Sequence, residues 1–167
     1  TNPTNIVSPD SAYATSFGTN GYSSTSVAMA GAAGDDGAVV GTVGWTNHAN
    51  VTAADGSEAT VSLFNQTSMY LYTYNHGFAV PSNAIIDGIA LSIGRSADIN
   101  DEVERGAVFD SSVRLRKTTA SPAVGNDAAT STYLPTVSTE IVYGGSTDLW
   151  GTTWTAAEVN AAGFGAS

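Results

Sequence analysis

Residues 59–95 read ATVSLFNQTSMYLYTYNHGFAVPSNAIIDGIALSIGR, and this stretch decides the fold class. Apolar and polar residues alternate over 59–64, which is the two-residue period of a β-strand. Residues 69–74 are rich in strand-forming side chains and lie between polar residues. After a turn signalled by proline and asparagine at 81–83, residues 84–95 form a long, largely apolar run. The stretch therefore predicts three strands in succession.

The rest of the chain adds short strand patterns and one helix signal. Residues 107–117 alternate well at their end, and 140–143 form a short run before a Gly-Gly turn. The Asp-Gly pair at 87–88, inside the long run, predicts a β-bulge, or a hairpin turn if the run divides. A capping box at 155–158 predicts about two turns of helix. Short strands, frequent turns and little helix together predict an all-β protein, an antiparallel β-sandwich.

The composition excludes several classes of function. The 167 residues carry 15 acidic and 5 basic side chains, a formal net charge of −10, so nucleic acid and anionic membranes are unfavourable partners. The sequence has no cysteine, which excludes disulfides and thiolate-bound zinc. No apolar run approaches the ~20 residues of a membrane helix, so we expect no membrane insertion. Charged residues make up only 12%, and uncharged polar surfaces of this kind recur in secreted and virion proteins.

The sequence repeats part of itself at a constant offset of 45 residues. The matching positions are Thr1-Asn2, Asn5, Asp10 and Ala14-Thr15 in the first copy, and Thr46-Asn47, Asn50, Asp55 and Ala59-Thr60 in the second. Such a repeat indicates that one structural unit, or part of it, is used twice. Residues 16–44 are rich in Gly, Ala, Ser and Thr and predict a flexible connection with at most one weak strand. We therefore divide the chain into an extended N-terminal arm with its connection, 1–44, and a β-sandwich domain, 45–167.

Asn50, Asp55 and Thr60 make the second copy a candidate calcium loop. Carboxylate, hydroxyl and loop carbonyl oxygens are ligands that Ca²⁺ accepts at surface sites. The alternative is an Asx-type turn, in which the Asp55 carboxylate binds its own backbone and Gly56 supplies a positive φ. Asp10 in the first copy is a weaker candidate, because serine rather than glycine follows it. Ca²⁺ is the only cofactor that the sequence indicates.

Three tyrosines lie two residues apart, so one face of a strand would present three phenol rings, Tyr70, Tyr72 and Tyr74. If exposed, these rings form a stacking platform for sugars, to which Trp45 is a further candidate contributor. If buried, they are ordinary cross-strand packing. Tyrosine is also enriched at protein–protein contacts. The pattern therefore predicts an interaction surface without distinguishing a glycan from another subunit.

The sequence offers no catalytic constellation. His48 and His76 are isolated, with no second histidine or cysteine at metal-ligand spacing. It contains neither a Gly-x-Ser-x-Gly elbow nor a glycine-rich phosphate loop. Four carboxylates crowd residues 98–104, where a solvated loop is the favoured interpretation. A carboxylate pair for glycoside hydrolysis depends on spacing in three dimensions and stays open. We nevertheless expect a protein that is not an enzyme.

Three segments of the sequence resemble one known family. They are WTNHANVTAADGSEAT at 45–60, IIDGI at 85–89 and YGGSTDLWGTTWTAAEVNAAGFG at 143–165, of which the last is the most specific. Over about residues 45–165 the chain resembles a galactose-binding-like, jelly-roll β-sandwich module of tailed-phage structural proteins and secreted prokaryotic surface proteins. The resemblance implies that Asp55 and Thr60 help to hold a structural calcium. It also implies a non-catalytic part of a virion or cell-surface assembly.

The chain departs from similar modules at its end. Those modules continue after the Phe-Gly segment at 164–165 with further strands, whereas this sequence ends at Ser167. A sandwich that lacks a strand leaves backbone groups unpaired. We therefore expect strand addition between subunits, with the N-terminal arm or a segment near it pairing with another copy.

These observations predict a non-enzymatic structural or assembly subunit. We expect a decoration, fibre or tail component of a phage virion, or a subunit of an extracellular filament, located on the virion surface or outside the cell. Its expected partners are copies of itself or other structural subunits, in an oligomer that assembles through subunit contacts. The alternative is a carbohydrate-binding or adhesin module that uses the tyrosines and Trp45 on surface glycans.

Overall fold

The computed structural model describes residues 12–19, 22–37, 40–97, 108–120 and 123–167, with the backbone alone described over 12–19 and 22–25. Its regular structure is mostly β-strand, arranged in two antiparallel sheets, with one short α-helix. In the described ranges, no helix has the length and apolar character that a membrane crossing requires. The prediction of an antiparallel all-β protein with one short helix is confirmed.

The elements follow one another closely along the chain. In order they are β1 (Ala12–Thr19), β2 (Tyr22–Met29), β3 (Ala32–Asp36), a 3₁₀ helix (His48–Thr52), β4 (Tyr70–Tyr74), β5 (Ile85–Arg95), β6 (Leu115–Arg116), β7 (Thr139–Gly144), α1 (Ala156–Asn160) and β8 (Gly165–Ala166). The first sheet has the strand order β2-β1-β5-β7, and the second has the order β3-β4-β8-β6. Among the described strands, β7 is therefore an edge strand of the first sheet.

One buried apolar cluster joins both sheets and the helix. Strand β5 contributes Ile89 and Leu91, which lie on the same face because alternate residues of a strand share a face. Both side chains are almost fully buried. The second sheet contributes Leu115 of β6, and the helix contributes Val159. The C-terminal segment contributes three further large members, namely Trp150, Trp154 and Phe164. The sequence segment that carries the resemblance thus supplies much of the core.

The Asp-Gly pair within β5 forms a bulge. Ser16 of β1 lies opposite Gly88 and Phe17 lies opposite Ile86, so Asp87 is the extra residue of the longer strand. Strand β5 continues unbroken through this point, which confirms the bulge and excludes the hairpin turn. A side chain at Gly88 would meet the backbone of Gly145, so glycine is required there by close approach.

The N-terminal segment differs from the sequence prediction. Where a connection with at most one weak strand was predicted, the structure has β1, β2 and β3. Their Ala, Ser, Thr and Gly residues have little strand propensity alone, but β1 pairs along its length with the apolar β5. This pairing is made within one chain. The sequence analysis had instead predicted that the N-terminal arm, or a segment near it, pairs with another copy. The division of the chain at residue 44 stays a prediction.

Two other predicted strands are shorter than expected. Residues 59–64 contribute only an isolated bridge between Thr46 and Thr60, and residues 107–117 contribute only β6 in their described part. The predicted strands at 69–74, 84–95 and 140–143 are confirmed as β4, β5 and β7. The capping box is confirmed as well, because the Thr155 hydroxyl accepts the backbone N–H of Glu158 and the Glu158 carboxylate accepts that of Thr155.

Candidate functional site

The three tyrosines of β4 do not form one open platform. Tyr70 is buried, and its hydroxyl donates to Ser112 Oγ at 2.8 Å. Tyr72 and Tyr74 are half-buried, and their rings stack with centroids 5.7 Å apart. The Tyr72 hydroxyl also lies 2.8 Å from the position that a Cβ on Gly34 would occupy, so this ring lies flat across β3. The structure therefore brings two of the three rings together as a half-covered pair.

A buried arginine also contacts the Tyr72 ring. The Arg116 guanidinium carbon lies 4.6 Å from the Tyr72 ring centroid, a cation–π contact. Arg116 also forms an ion pair with Asp36 at 3.2 Å and donates to the carbonyl oxygen of Thr119. Because Arg116 and its partners occupy the space beside Tyr72, the ring has little free surface for a stacked sugar.

Trp45 lies apart from the tyrosine pair. Its indole N–H donates to the carbonyl oxygen of Met69 at 2.9 Å, and its backbone N–H donates to Asp35 Oδ2 at 3.0 Å. Asp35 is next to Gly34 on β3, so its side chain points to the face opposite the one that Tyr72 covers. Trp45 therefore stabilises the edge of the second sheet from the other face, away from the Tyr72–Tyr74 pair.

An open cleft of about 320 Å³ lies beside Tyr70. Its walls include Tyr70, Ser111, Ser112, Arg114 and Asp127. The Asp127 carboxylate accepts the Ser112 hydroxyl at 2.6 Å and the Arg114 Nε–H at 3.2 Å. Burial raises the pKa of Asp127, but the hydrogen bonds from Ser112, Arg114 and two backbone N–H groups outweigh it and hold the pKa below its ordinary value. The cleft thus presents a rigid, ionised pair beside an aromatic ring.

The predicted calcium residues lie in a turn of the expected alternative kind. Asp55 is exposed, and its Oδ1 accepts the backbone N–H of Ser57 at 2.8 Å, while Gly56 has φ +82°. This backbone hydrogen bond lowers the pKa of Asp55. The Asn50 side-chain amide donates to the carbonyl oxygen of Glu58 at 3.1 Å. Thr60 exchanges backbone hydrogen bonds with Thr46.

These contacts neither confirm nor contradict a calcium site, which stays a prediction. The Asx turn uses one carboxylate oxygen of Asp55, and the Ser57 side chain also forms a hydrogen bond with this carboxylate. Within the described ranges, no group of three or more His, Asp or Glu side chains is placed to hold a metal ion. Asp10 and the acidic segment 98–104 lie outside the described residues.

The two histidines have separate environments. His76 is buried against two phenylalanine rings, with centroids 5.9 Å from Phe78 and 6.2 Å from Phe164. Burial lowers the pKa of His76 to about 4, against the opposing effect of hydrogen bonds to the backbone of Ala28 and Met29. His48 begins the 3₁₀ helix and is half-buried. His76 is therefore a neutral core residue at physiological pH.

The feature that sequence reasoning missed is the open edge of β7. Gly145 donates its backbone N–H to the carbonyl oxygen of Ile89, which sets the alternation of the antiparallel β5–β7 ladder. By this alternation Thr139, Ile141 and Tyr143 direct their backbone groups towards β5. The other three residues direct theirs outwards, namely Glu140, Val142 and Gly144. These outward groups make no backbone hydrogen bond to the described part of the chain.

Large apolar side chains are exposed on β7 and in two segments near the end of β5. The exposed fractions are 54% for Phe109, 67% for Tyr133, 73% for Val137 and 61% for Val142. Leu134 donates its backbone N–H to the carbonyl of Val108, and Ala97, just after β5, donates to that of Pro135, both at 2.8 Å. We call β7 and these four side chains the edge patch. Strand 140–143 was recognisable from its β-forming residues, but its position at a sheet edge depends on topology.

The inner side of β7 is firmly anchored. The Tyr143 hydroxyl donates to Asp110 Oδ2 at 2.7 Å, and Asp110 forms an ion pair with Arg95. The Arg95 guanidinium carbon lies 5.2 Å from the Tyr143 ring centroid. Burial lowers the pKa of Arg95 and raises the pKa of Tyr143, so the hydroxyl stays protonated and able to donate. Strand β7 is thus fixed in place from its inner side.

Comparison with known proteins found no matching protein family, no matching curated protein and no matching solved structure.

Proposed function

We propose that the protein is a non-enzymatic structural subunit that assembles through the open edge of β7. The observation that carries this proposal is the combination of outward backbone groups with the exposed Val142 side chain on one firmly anchored strand. Soluble proteins usually protect such an edge with lysine, proline, a bulge or a covering segment, because an open edge pairs with other chains. Strand β7 has neither lysine nor proline, and Val142 at its middle is exposed. An edge of this kind favours strand addition by a partner.

The proposed setting follows the resemblance stated for residues 45–165. We propose that the two sheets form a sandwich of the galactose-binding-like, jelly-roll type, and that the subunit is a decoration, fibre or tail component of a phage virion or part of an extracellular filament. The low share of charged residues, 12%, suits a surface packed against copies of itself or other structural subunits. A calcium ion at Asp55 would be an accessory to this role.

Sedimentation velocity combined with negative-stain electron microscopy tests the assembly role. The protein is examined over a wide concentration range at low and at high salt. We expect dimers or larger ordered species whose population rises with concentration. Because each chain carries a net charge of −10, salt should strengthen the association by screening repulsion. A chain that remains monomeric at millimolar concentration in high salt contradicts the proposed function.

A second candidate function, carbohydrate binding, is favoured by the cleft beside Tyr70. The cleft volume lies at the low end of the roughly 300–1,000 Å³ of ligand sites, which suits one or two sugar rings. Its paired Arg114 and Asp127 offer hydrogen-bond donors and acceptors without net charge, as a neutral sugar requires.

Ser111→Phe tests this second candidate because the new ring fills the cleft without replacing a member of the Asp127 network. Ser82→Phe, at an exposed turn, is the matched control. Titration with maltotriose and chitotriose, followed by NMR shifts, should perturb the Tyr70 region in the control and not in the cleft variant. Identical responses of the two variants contradict a sugar site in this cleft.

A further inference from the structure

We propose that two copies of this chain pair β7 with β7 in antiparallel orientation, with Val142 opposite Val142 of the second copy. The inference rests on the proposed assembly function and names its partner and register. It begins from the alternation that turns the backbone groups of Glu140, Val142 and Gly144 outwards. An edge that is its own complement produces a closed two-fold dimer without a second protein.

The register follows from hydrogen-bond matching. Outward residues pair only with outward residues of the other copy, because the alternate residues are already bonded to β5. With Val142 on the two-fold axis, Glu140 of each copy lies opposite Gly144 of the other. All three outward residues then exchange hydrogen bonds. A shift of two residues in either direction leaves at least one of them unpaired.

Charge favours the same register. Glu140 is the only charged residue of β7, and its carboxylate accepts the Ser92 hydroxyl. Centring the pair on Glu140 would place two carboxylates directly opposite each other, which destabilises a sheet. Centring it on Val142 separates the two Glu140 positions by four strand residues, about 14 Å. The exposed Val142 side chains then cover one another on one face of the joined sheet.

The pair is expected to be weak as an isolated dimer. A single pair of short strands buries less than the roughly 1,200 Å² at the lower limit of stable interfaces. The Val137 side chain, two residues before β7, is exposed and available to extend the contact. The net charge of each copy opposes it. Such a contact becomes strong where many copies are held together in an array.

Single cysteine substitutions test the register, because the protein has no cysteine of its own. Val142→Cys places the two thiols on residues whose Cα atoms are about 5.5 Å apart, within the range of a disulfide. Thr139→Cys places them about 20 Å apart, because six strand residues separate the two copies of this position. Under mild oxidation at high protein concentration, we expect a covalent dimer of the first variant and at least tenfold less of the second.

The outcomes separate the register from the assembly role. If wild-type protein forms dimers or larger species but Val142→Cys gives no more covalent dimer than Thr139→Cys, this pairing is wrong while the proposed function stands. If wild-type protein forms no species above the monomer, both are wrong.

Val142→Pro gives an independent test that uses no cross-link. Proline removes the outward N–H of Val142 and leaves the β5–β7 hydrogen bonds in place, since an edge position tolerates proline. Val142→Thr, which keeps the N–H and the β-branched shape, is the matched control. We expect the proline variant to lose at least about tenfold in association constant relative to the threonine variant, with both melting alike. Equal association of two folded variants overturns the pairing.

Discussion

The indole N–H of Trp150 donates to the carbonyl oxygen of Ile89 at 2.9 Å, joining the turn after β7 to the middle of β5. Trp150 is fully buried in spite of a left-handed backbone conformation, φ 59°. Gly144 lies between these two groups with φ +68°. The end of β7 is thus held by this buried hydrogen bond, which forms because Gly144 has no side chain to separate the two groups.

Gly144→Ala should destabilise the fold strongly. A Cβ at this position would lie 2.6 Å from Trp150 Nε1 and closer still to the Ile89 carbonyl oxygen, and the left-handed conformation disfavours any side chain. We expect a loss of roughly 2–3 kcal/mol in the free energy of unfolding, measured by urea denaturation. Gly145→Ala is the matched control, because no atom lies within 4 Å of its Cβ position. Similar losses of stability in both variants would contradict a specific requirement for glycine at position 144.

Acid should weaken the fold through His76. Its pKa falls from an ordinary 6.5 to about 4 on folding, so the unfolded chain binds the proton more readily. The stability from keeping His76 neutral is complete above pH 6.5 and is lost as the pH falls towards 4. The expected loss over this window is roughly 3 kcal/mol. Urea denaturation at several pH values between 7 and 4 measures it.

Two variants separate His76 from the carboxylates. His76→Phe removes the titrating group and keeps an aromatic ring beside Phe78 and Phe164, so its stability should vary less between pH 6.5 and 4. The control His48→Gln replaces the other histidine, at the start of the 3₁₀ helix. Its free energy of unfolding should depend on pH as that of the wild-type protein does. A wild-type pH profile in His76→Phe would assign the acid effect to other groups.

Asp127→Asn should loosen the wall of the cleft. The carboxylate accepts hydrogen bonds from the backbone of Val113 and Ala129 and from two side chains, Ser112 and Arg114. An amide replaces one acceptor oxygen by a donor, and we expect a cost of about 1–3 kcal/mol in the free energy of unfolding. Asp87→Asn, at an exposed bulge position, should change it by less than about 0.5 kcal/mol. Equal effects would remove Asp127 as the centre of this network.

Calcium binding at Asp55 predicts a melting temperature that depends on the free ion. An ion bound only to the folded chain stabilises it in proportion to the logarithm of its concentration. Excess Ca²⁺ should then raise the melting temperature over that in chelator, and Asp55→Ala should abolish the difference. If wild-type protein melts at one temperature in both solutions, the loop is an Asx turn without an ion.

The elements that the sequence predicts well are those with a strong local pattern. Strand β5 and the Thr155 capping box are visible because their own residues favour the conformation. Where β1 to β3 lie, the sequence predicted at most one weak strand, because small polar residues become strands only when β5 and β4 pair with them. The opposite error occurred at 59–64, where alternation suggested a strand but only Thr60 forms a bridge.

The candidate site depends even more on distant contacts. The tyrosine spacing predicted three rings on a shared face, yet Tyr70 is buried. Its hydroxyl donates a hydrogen bond to Ser112, 42 residues further along the chain. Tyr72 is covered by Arg116. The open edge of β7 is set by its position next to β5 and by the lack of a further strand among the described residues. None of these three facts can be obtained from a local pattern, because all of them depend on which segments become neighbours.

Backbone hydrogen exchange, followed residue by residue at low and high protein concentration, tests the central claim most directly. The amides of Ile141 and Tyr143 are bonded to β5 and should exchange slowly at every concentration, which makes them an internal control. We predict that the amides of Glu140 and Val142 exchange rapidly in dilute solution and at least about tenfold more slowly once the protein assembles. Rapid exchange at these two positions in fully assembled protein would contradict an assembly through the edge of β7.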